Sequence, residues 1–310
     1  MKFLEETPDF ICSPSDVNYV CYSDTDSIYI NAEPLLRHLH PLFDEMLEEE
    51  KDDALEQIAL KCQDAITESY GNLAKEAFNA PKHRLEMKTE AVIRSAYFRA
   101  TRRYAQWITK KEGLKVEELD IKGLEFKKSN FPPLLRDFFM EILDNILKGT
   151  PQSEIDDKIK EFRLKFLNIN LPFTDLGNPT SVKTLNDYIE RKPKAGEIFS
   201  LIKKGAPAPV KAAIKYNDLI NLWGLSKEHT PITPGDKIKW VYLKPNLYYI
   251  EALAFLDWDI PPKILGFIEE NLDRQKTFDS ILLNKLENFY DDLGWVLSLN
   301  ENKHKFFNND

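Results

Sequence analysis

The sequence lacks the features that would assign it to a membrane or secreted class. No apolar run approaches the ~20 residues that a transmembrane helix needs, and the first residues contain no apolar core like that of a signal peptide. Only three cysteines occur, Cys12, Cys21 and Cys62, without the paired spacing of a metal site. We therefore expect a cytoplasmic protein without a membrane span, whose thiols are reduced and whose Cys21 is buried.

Basic residues are fewer than acidic ones: the chain has 42 Lys and Arg and 51 Asp and Glu, which gives a net charge of -9. That balance argues against a nucleic-acid partner, but charge is unevenly distributed. From Lys82 to Lys128 the chain has 13 Lys and Arg against 7 Asp and Glu. This segment predicts a phosphate-binding surface. The alternative is an edge strand whose basic residues prevent pairing with other chains.

The hexapeptide at residues 22–27, Tyr-Ser-Asp-Thr-Asp-Ser, lies between two runs rich in Val, Ile and Tyr. Such runs favour strands, and the polar middle favours a turn, so we predict a β-hairpin with two carboxylates at its tip. Asp24 and Asp26 are two residues apart and on extended backbone point to the same side. Without a cation they would repel, and one would tend to take up a proton. Oxygen ligands of this kind suit magnesium.

This hexapeptide resembles motif C of the family B (alpha-like) DNA polymerases, which reads Tyr-Gly-Asp-Thr-Asp-Ser; only Ser23 departs from it. The resemblance implies that Asp26 is a direct metal ligand, that Asp24 is more peripheral, and that Thr25 lies beside the nucleotide. It also implies a site with two Mg²⁺ ions. The alternative is an acidic surface turn, since short motifs also occur by chance.

Three segments of the basic region extend the resemblance. Residues 87–91, Met-Lys-Thr-Glu-Ala, resemble a family segment that brings a further acid, here Glu90, near the metals; Lys88 stands where related phage enzymes can carry Asp. Residues 101–105, Thr-Arg-Arg-Tyr-Ala, resemble a stretch that contacts the primer–template duplex. Residues 121–125, Ile-Lys-Gly-Leu-Glu, resemble the crossing from palm to thumb. The DNA-binding residues implied are Arg102, Arg103, Tyr104, Lys122, Lys127 and Lys128.

The periodicity of the remaining chain predicts an α+β protein. We expect a helix over 44–80, with a solvated acidic face at residues 48–53, and strands within 85–108 followed by a turn at 110–113. Further helices are expected over 134–143, 155–166, from Lys211 and over 262–290, with a strand over 237–243. Four tryptophans, at 223, 240, 258 and 295, are expected in the core. The resemblance implies a partial palm domain over 1–127 and a mainly helical thumb domain over 128–310.

Motifs A and B and the proofreading exonuclease, which precede motif C in the family, have no counterpart in this sequence. The resemblance therefore implies the C-terminal part of a phage-type polymerase, which needs an N-terminal partner carrying those parts. It would act on primer–template DNA and deoxynucleoside triphosphates in a phage-infected or prokaryotic cell. Met1 at the first position suggests a natural split gene product, although a trimmed chain would look the same.

Two further hypotheses come from the positions that depart from the family motifs and from the C-terminal residues. The departures at Ser23 and Lys88 support an alternative hypothesis: a non-catalytic DNA-binding or partner-binding subunit that retains only the palm–thumb scaffold. Against it, paired buried acids without a metal are costly. Phe306 and Phe307 near the end of the chain resemble the aromatic peptide with which replicative polymerases dock on a sliding clamp. The alternative is that both rings fold back and anchor the terminus.

Overall fold

A computed structural model describes residues 19–124, 131–168 and 171–297. It divides into two compact units between Leu124 and Glu125. The chain is 47% helical and 22% strand with small antiparallel sheets, so the predicted α+β class is confirmed. Within the described ranges no helix is long and apolar enough to cross a membrane. The expected boundary between residues 127 and 128 lies outside those ranges, and its assignment to palm and thumb stays a prediction.

The first unit begins with the expected hairpin, formed by β1 (Val20–Asp24) and β2 (Ser27–Ile30) around the turn Thr25–Asp26. Tyr22 pairs with Tyr29, and both rings are half-buried on one face. The other face carries Val20, Ile28 and Ile30, which are 40%, 44% and 41% exposed. The hairpin therefore has one face packed within the unit and one apolar face open.

The expectation of a buried Cys21 is wrong. The pairing of β1 with β2 shifts by one residue between Val20 and Tyr22, a β-bulge that contains Cys21, and the Cys21 side chain is exposed there. Its thiol donates a hydrogen bond of 3.3 Å to the carbonyl of Tyr29.

Two helices follow the hairpin. Helix α1 (Glu33–Leu39) contains Pro34 in its first turn, where a missing N–H costs nothing, and helix α2 (Glu48–Phe78) covers most of the predicted 44–80. A single 3₁₀ turn, Phe43–Glu45, lies between them. Leu35 and Leu36 of α1 pack on Ile58 of α2, which joins the two helices in a small core.

A three-stranded antiparallel sheet completes the first unit: β3 (Ala91–Ala100), β4 (Arg103–Lys111) and β5 (Leu114–Lys122). The β4–β5 turn is Glu112–Gly113, within the predicted turn at 110–113, and both residues have positive φ, which a two-residue hairpin turn of this twist requires. The strand expected at residues 85–87 is wrong. That segment is irregular because its amides bond to α2 instead, Met87 to the Thr67 hydroxyl and Thr89 to the Gln63 side chain.

The acidic start of α2 is mostly the solvated face that we expected, since Glu48, Glu49, Glu50 and Asp53 are exposed, but Asp52 lies against the sheet. Asp52 is 5% exposed and accepts a 2.6 Å hydrogen bond from Arg94 of β3. Lys110 of β4 bonds both Asp53 and Glu56, the latter at 2.7 Å. These pairs join segments that are distant in sequence and take up part of the basic charge of residues 82–128.

The second unit opens with helices α3 (Pro133–Leu147), α4 (Gln152–Asn168) and α5 (Phe173–Leu176). Strands β6 (Asn178–Ser181), β9 (Lys237–Tyr242) and β10 (Ala252–Phe255) form an antiparallel sheet in the order β10-β9-β6. Strands β7 (Ile189–Arg191) and β8 (Leu201–Ile202) form a separate ribbon. Helix α6 (Ala208–Leu222) packs on β10, and its Ala212, Ala213 and Leu219 are fully buried.

The helix expected over 262–290 is broken into α7 (Pro262–Asn271), α8 (Arg274–Phe278), a π-helical turn (Asp279–Leu283) and α9 (Asn284–Asp292). Leu272 pairs with Leu243, and the Asp273 carboxylate caps α8 by accepting from the Lys276 amide at 2.8 Å, so the chain cannot continue as one helix. Of the four tryptophans expected in the core, Trp240 is buried. Trp258 contradicts the expectation, being 72% exposed in the turn after β10.

Candidate active site and nucleic-acid interface

A cluster of four aromatic rings holds the hairpin against the end of the sheet where β3 turns into β4. Tyr22 stacks on Phe98 with centroids 5.2 Å apart, and Tyr29 meets the same ring edge-on at 5.3 Å. The Tyr29 hydroxyl donates a 3.1 Å hydrogen bond to that of Tyr104, and burial raises the pKa of Tyr29. The cross-strand ring pairs Tyr22–Tyr29 and Phe98–Tyr104 thus hold the hairpin tip toward residues 101–103.

Asp24, at the end of β1, meets Arg102 in the β3–β4 turn, 78 residues away in sequence. The guanidinium donates two bonds to the carboxylate, Nε to Oδ2 at 2.8 Å and Nη2 to Oδ1 at 3.3 Å. The Thr25 amide and hydroxyl also donate to Oδ1, at 2.9 and 3.2 Å. These bonds lower the pKa of Asp24 from 3.8 to about 2, and the bond from Arg102 has a larger effect than the bond from the Thr25 amide.

This arrangement corrects the expectation that one of the two acids takes up a proton when no metal is present. Arg102 supplies the missing positive charge, and Asp24 therefore stays ionised. Neither acid is buried, since the Asp24 side chain is 28% exposed and Asp26 lies in an exposed turn. The cost of burying paired acids therefore does not apply to this hairpin.

The backbone of Arg102 is held as firmly as its side chain. Its φ is +60°, and its amide donates a 3.0 Å hydrogen bond to the Tyr22 hydroxyl. Gly123 lies directly against it: a Cβ at that position would stand 2.0 Å from the Arg102 carbonyl oxygen, and Gly123 has φ +64°. Only glycine fits there. Sequence reasoning did not single out Gly123, although it is the glycine of the Ile-Lys-Gly-Leu-Glu segment.

Asp26 is the free carboxylate of the tip. In the part of the chain that the structure describes it has no hydrogen bond or ion pair, and it lies close enough to Arg102 to help Asp24 raise the pKa of the guanidinium. Thr25 is exposed beside it, with its hydroxyl turned to Asp24. The tip can therefore offer Asp26 to a ligand without breaking an existing contact, whereas Asp24 would first have to share its oxygens with Arg102.

Glu90 is not brought to this tip. It precedes the first residue of β3, and its carbonyl accepts from the Glu112 amide beside the β4–β5 turn. The hairpin tip contacts the other end of β3, ten residues later, which corresponds to about 30 Å of strand. A role for Glu90 beside metals held at the tip has no support in this geometry.

The predicted DNA-binding residues divide into three groups. Arg102, Arg103 and Lys122 are exposed at the same end of the sheet, together with Arg99, which the sequence reading did not select. Tyr104 is only 5% exposed, because its ring belongs to the aromatic cluster, so it positions the hairpin instead of presenting a surface for DNA. Lys127 and Lys128 lie outside the described residues.

Basic side chains elsewhere in the sheet are already paired. Arg94, Lys110, Lys111 and Lys115 each contact a carboxylate of α2 or of β5. Arg99, Arg103 and Lys122 have no carboxylate within ion-pair distance among the residues described, although the Lys122 ammonium lies 5.6 Å from the centre of the Tyr104 ring. Three unpaired basic side chains of the segment thus lie beside the hairpin tip, while Lys82, Arg84 and Lys88, ahead of the sheet, are exposed and likewise have no ion pair in the described ranges.

The donor set at the tip fits part of a magnesium site. Mg²⁺ prefers six oxygen ligands in octahedral geometry and usually keeps several waters. Asp26 and Asp24 supply carboxylate oxygens of the right kind. Across residues 19–124, 131–168 and 171–297, no group of three or more His, Cys, Asp or Glu side chains could hold a metal. Further carboxylates would have to come from outside the described residues.

The second unit contains a basic surface that the sequence reading treated only as a mixed stretch. Lys192 and Lys194 follow β7, and Lys203 and Lys204 follow β8; because the two strands are antiparallel, the two pairs of lysines lie at opposite ends of the short ribbon. All four are exposed and have no carboxylate partner in the described part of this unit. Arg191 is different, since its bond to Glu197 lowers the pKa of that carboxyl to about 2. The local count of 7 Lys and Arg against 3 Asp and Glu over residues 183–211 could have revealed this surface.

A scan against protein-family models gives no match, and a search of curated proteins gives none either. The resemblance to family B polymerases therefore stays an expectation that depends on the quoted motifs.

Proposed function

We propose that this chain is the C-terminal palm–thumb part of a phage-type family B DNA polymerase and contributes motif C and duplex contacts to templated nucleotidyl transfer. The observation that carries the proposal is the contact between Asp24 and Arg102. These residues belong to two separate family-like motifs that lie 78 residues apart in sequence, yet their side chains bond at 2.8 Å. An acidic turn that resembled motif C by chance would have no reason to meet the second motif.

In this proposal Asp26 holds Mg²⁺, and Asp24 shapes the charge around it while Arg102 fixes its carboxylate. The metal, when bound with a partner's carboxylates, would stabilise the charge that develops on phosphate during transfer. Thr25 lies at the tip where a triphosphate would be bound. The aromatic cluster of Tyr22, Tyr29, Phe98 and Tyr104 keeps the tip in position.

The duplex contacts are assigned to the unpaired basic residues. Arg99, Arg103 and Lys122 would bind phosphates beside the tip, and Arg102 would exchange between Asp24 and the primer–template backbone. The lysines of the β7–β8 ribbon would bind phosphates in the second unit. Lys127 and Lys128 keep the role that the resemblance implies for them.

A partner chain with motif A, motif B and the exonuclease completes the proposed enzyme, which would use deoxynucleoside triphosphates in the cytoplasm of a phage-infected or prokaryotic cell. The open apolar face of the hairpin, formed by Val20, Ile28 and Ile30, supports this requirement, because a two-stranded hairpin is rarely stable without further packing. Sliding-clamp binding through Phe306 and Phe307 falls outside the described residues and stays a hypothesis.

The deciding experiment is primer extension by this chain with and without a co-expressed polypeptide that carries motifs A and B. We expect extension only from the complex and only with a divalent metal. Asp26→Asn should lower the rate by roughly a thousandfold or more, since a lost metal ligand costs several kcal/mol of barrier; Asp24→Asn should lower it less. Asp64→Asn, on an exposed face of α2, is the control. Extension by the single chain, or a normal rate for the Asp26→Asn complex, would contradict the proposal.

A non-catalytic nucleic-acid-binding subunit is the second candidate, and a specific observation favours it. Arg102 neutralises Asp24, so this carboxylate has its counter-charge within the chain itself. This candidate predicts duplex binding that is insensitive to Mg²⁺ and unchanged by Asp26→Asn. The same complex and variants therefore separate the two candidates.

A further inference from the structure

The loop between β9 and β10 presents two apolar side chains almost entirely to solvent. Leu247 is 94% exposed and Tyr249 is 92% exposed, the two highest values among the large apolar residues described. They flank Tyr248, which turns inward. A tyrosine ring exposed to this extent has no packing role within the unit.

Asn246 holds this loop in one conformation. Its side-chain amide nitrogen donates to the carbonyls of Lys244 and Ile250 at 2.9 and 2.7 Å, and its side-chain oxygen accepts from the amides of Tyr248 and Ile250 at 3.1 and 3.2 Å. Tyr249 has φ +52°, a conformation unfavourable for a residue with a bulky side chain. Such strain in an ordered loop is typical of functional sites.

Tyr248 anchors the loop on an aromatic cluster. Its ring lies 5.7 Å from Phe267 and 6.1 Å from both Trp223 and Phe199, and its hydroxyl accepts a 3.4 Å hydrogen bond from the Trp223 indole. Phe199 lies just before β8, so its contact with Tyr248 packs the loop against the segment that leads into the ribbon. The exposed pair is therefore fixed relative to Lys203 and Lys204.

The surface around the loop carries lysines whose partners are aromatic rings. The Lys263 ammonium lies 4.6 Å from the centre of Trp223, and that of Lys215 lies 4.1 Å from the centre of Phe199. Neither lysine, nor Lys244 in the loop, has a carboxylate within ion-pair distance in the described ranges. Carboxylates are present there as well, since Glu251 follows the loop and Glu269, Glu270 and Asp273 line a cavity together with Lys244.

We propose that this loop binds single-stranded nucleic acid, with Tyr249 stacked on an unpaired base, Leu247 against its neighbour and the surrounding lysines on the phosphates. Aromatic platforms beside positive charge are how proteins bind single strands without sequence preference. An intact duplex fits less well, because inserting these side chains between paired bases would cost a few kcal/mol of unstacking. The inference does not depend on the metal chemistry of the hairpin.

The test is fluorescence anisotropy of the full chain with a labelled oligo-thymidine. Tyr249→Ala should weaken binding about 5- to 100-fold, the range of one base–aromatic contact. The salt dependence should be unchanged because no charge is lost. Tyr249→Phe should bind normally. Lys203→Ala with Lys204→Ala should lower the salt slope instead, by about 0.7 for each phosphate contact.

Trp258→Ala is the matched control. Trp258 is also an exposed aromatic residue of this unit, but it lies between Asp257 and Asp259, so a polyanion should avoid it. Circular dichroism checks that each variant is folded. Photo-cross-linking of the unmodified chain to iodouracil-containing oligonucleotide should label Tyr249 and needs no variant.

Three results would overturn the proposal: equal affinities of Tyr249→Ala and Trp258→Ala, cross-links that map away from the loop, or an equal loss of affinity for a duplex of the same composition. The last would identify the loop as a duplex contact. No binding of oligo-thymidine by the unmodified chain would also reject it.

Discussion

Arg102 is the residue on which the candidate site depends, because it serves two needs at once. It supplies the charge that keeps Asp24 ionised, and its backbone turn places it at the end of the sheet where the unpaired Arg99, Arg103 and Lys122 lie. The sequence identified both residues as functional, since each stands in a short motif. It could not reveal that they bond to each other, because that contact depends on how rings 70–80 residues apart pack.

Arg102→Gln tests the electrostatic part of this contact. The folded pKa of Asp24, about 2, is below its ordinary 3.8, so the contact stabilises the fold above about pH 4 and this contribution is lost as the pH falls toward 2. In the variant we expect the pKa of Asp24 to rise toward its ordinary value. The difference in unfolding free energy between the two proteins should shrink over the same pH range.

The measurement is a carboxyl ¹³C NMR titration together with urea unfolding at several pH values. Arg103→Gln is the control, since Arg103 is equally exposed but has no carboxylate partner among the described residues. An unchanged Asp24 titration in Arg102→Gln would show that Arg102 does not hold the carboxylate in solution.

Gly123→Ala tests how the backbone around Arg102 is held in place. The new Cβ would clash with the Arg102 carbonyl and also require a left-handed conformation, which costs about 1–2 kcal/mol by itself. Gly113→Ala is the matched control for Gly123→Ala. Gly113 also has a positive φ, +80°, in the same sheet, but an added Cβ would have no atom closer than 3.8 Å. We expect urea unfolding to show a larger loss of stability for Gly123→Ala. Equal losses would mean that the clash relaxes without cost.

At the scale of elements, the sequence predicted the hairpin, the strands β3, β4 and β9 and most helices because each has a local signal in its periodicity or turn residues. It failed for contacts between elements. The acidic start of α2 is typical of a solvated face, and only the sheet residue Arg94 explains why Asp52 within it is buried. The break between α7 and α8 was missed for a similar reason, since Leu272 pairs with a distant strand.

Asp52→Asn tests whether these ion pairs hold α2 on the sheet. The Asp52 side chain is 7% exposed and its bond to Arg94 is 2.6 Å long, so we expect a loss of about 1–3 kcal/mol in urea unfolding, as for a hydrogen bond to a charged group. Glu49→Gln is the control, because Glu49 and Lys115 are each 66% exposed and such a pair contributes at most about 1 kcal/mol. If Asp52→Asn lowers the free energy of unfolding no more than the control does, the charge of Asp52 does not contribute to holding α2 on the sheet.

At the scale of the molecule, the two units differ in how much core they contain. Of the twelve largest fully buried side chains, only Leu36 and Ile121 lie in the first unit, and the other ten lie in the second. The first unit relies on a small helix core, an aromatic cluster and ion pairs. The resemblance quoted from the sequence implied two domains, but it could not show this inequality, which depends on which apolar residues find partners.

Hydrogen exchange on the full chain should therefore report two levels of protection. We expect amides of β1 and β2 to exchange at low denaturant, because one face of the hairpin is open and each strand has an unpaired edge within the described residues. Amides of α6 and β10 should exchange only through global unfolding of their unit. Addition of the polypeptide carrying motifs A and B should slow exchange in β1 and β2 and leave α6 unchanged. Equal protection of both units in the isolated chain would show that the first unit is complete without a partner, and would remove the structural reason for expecting one.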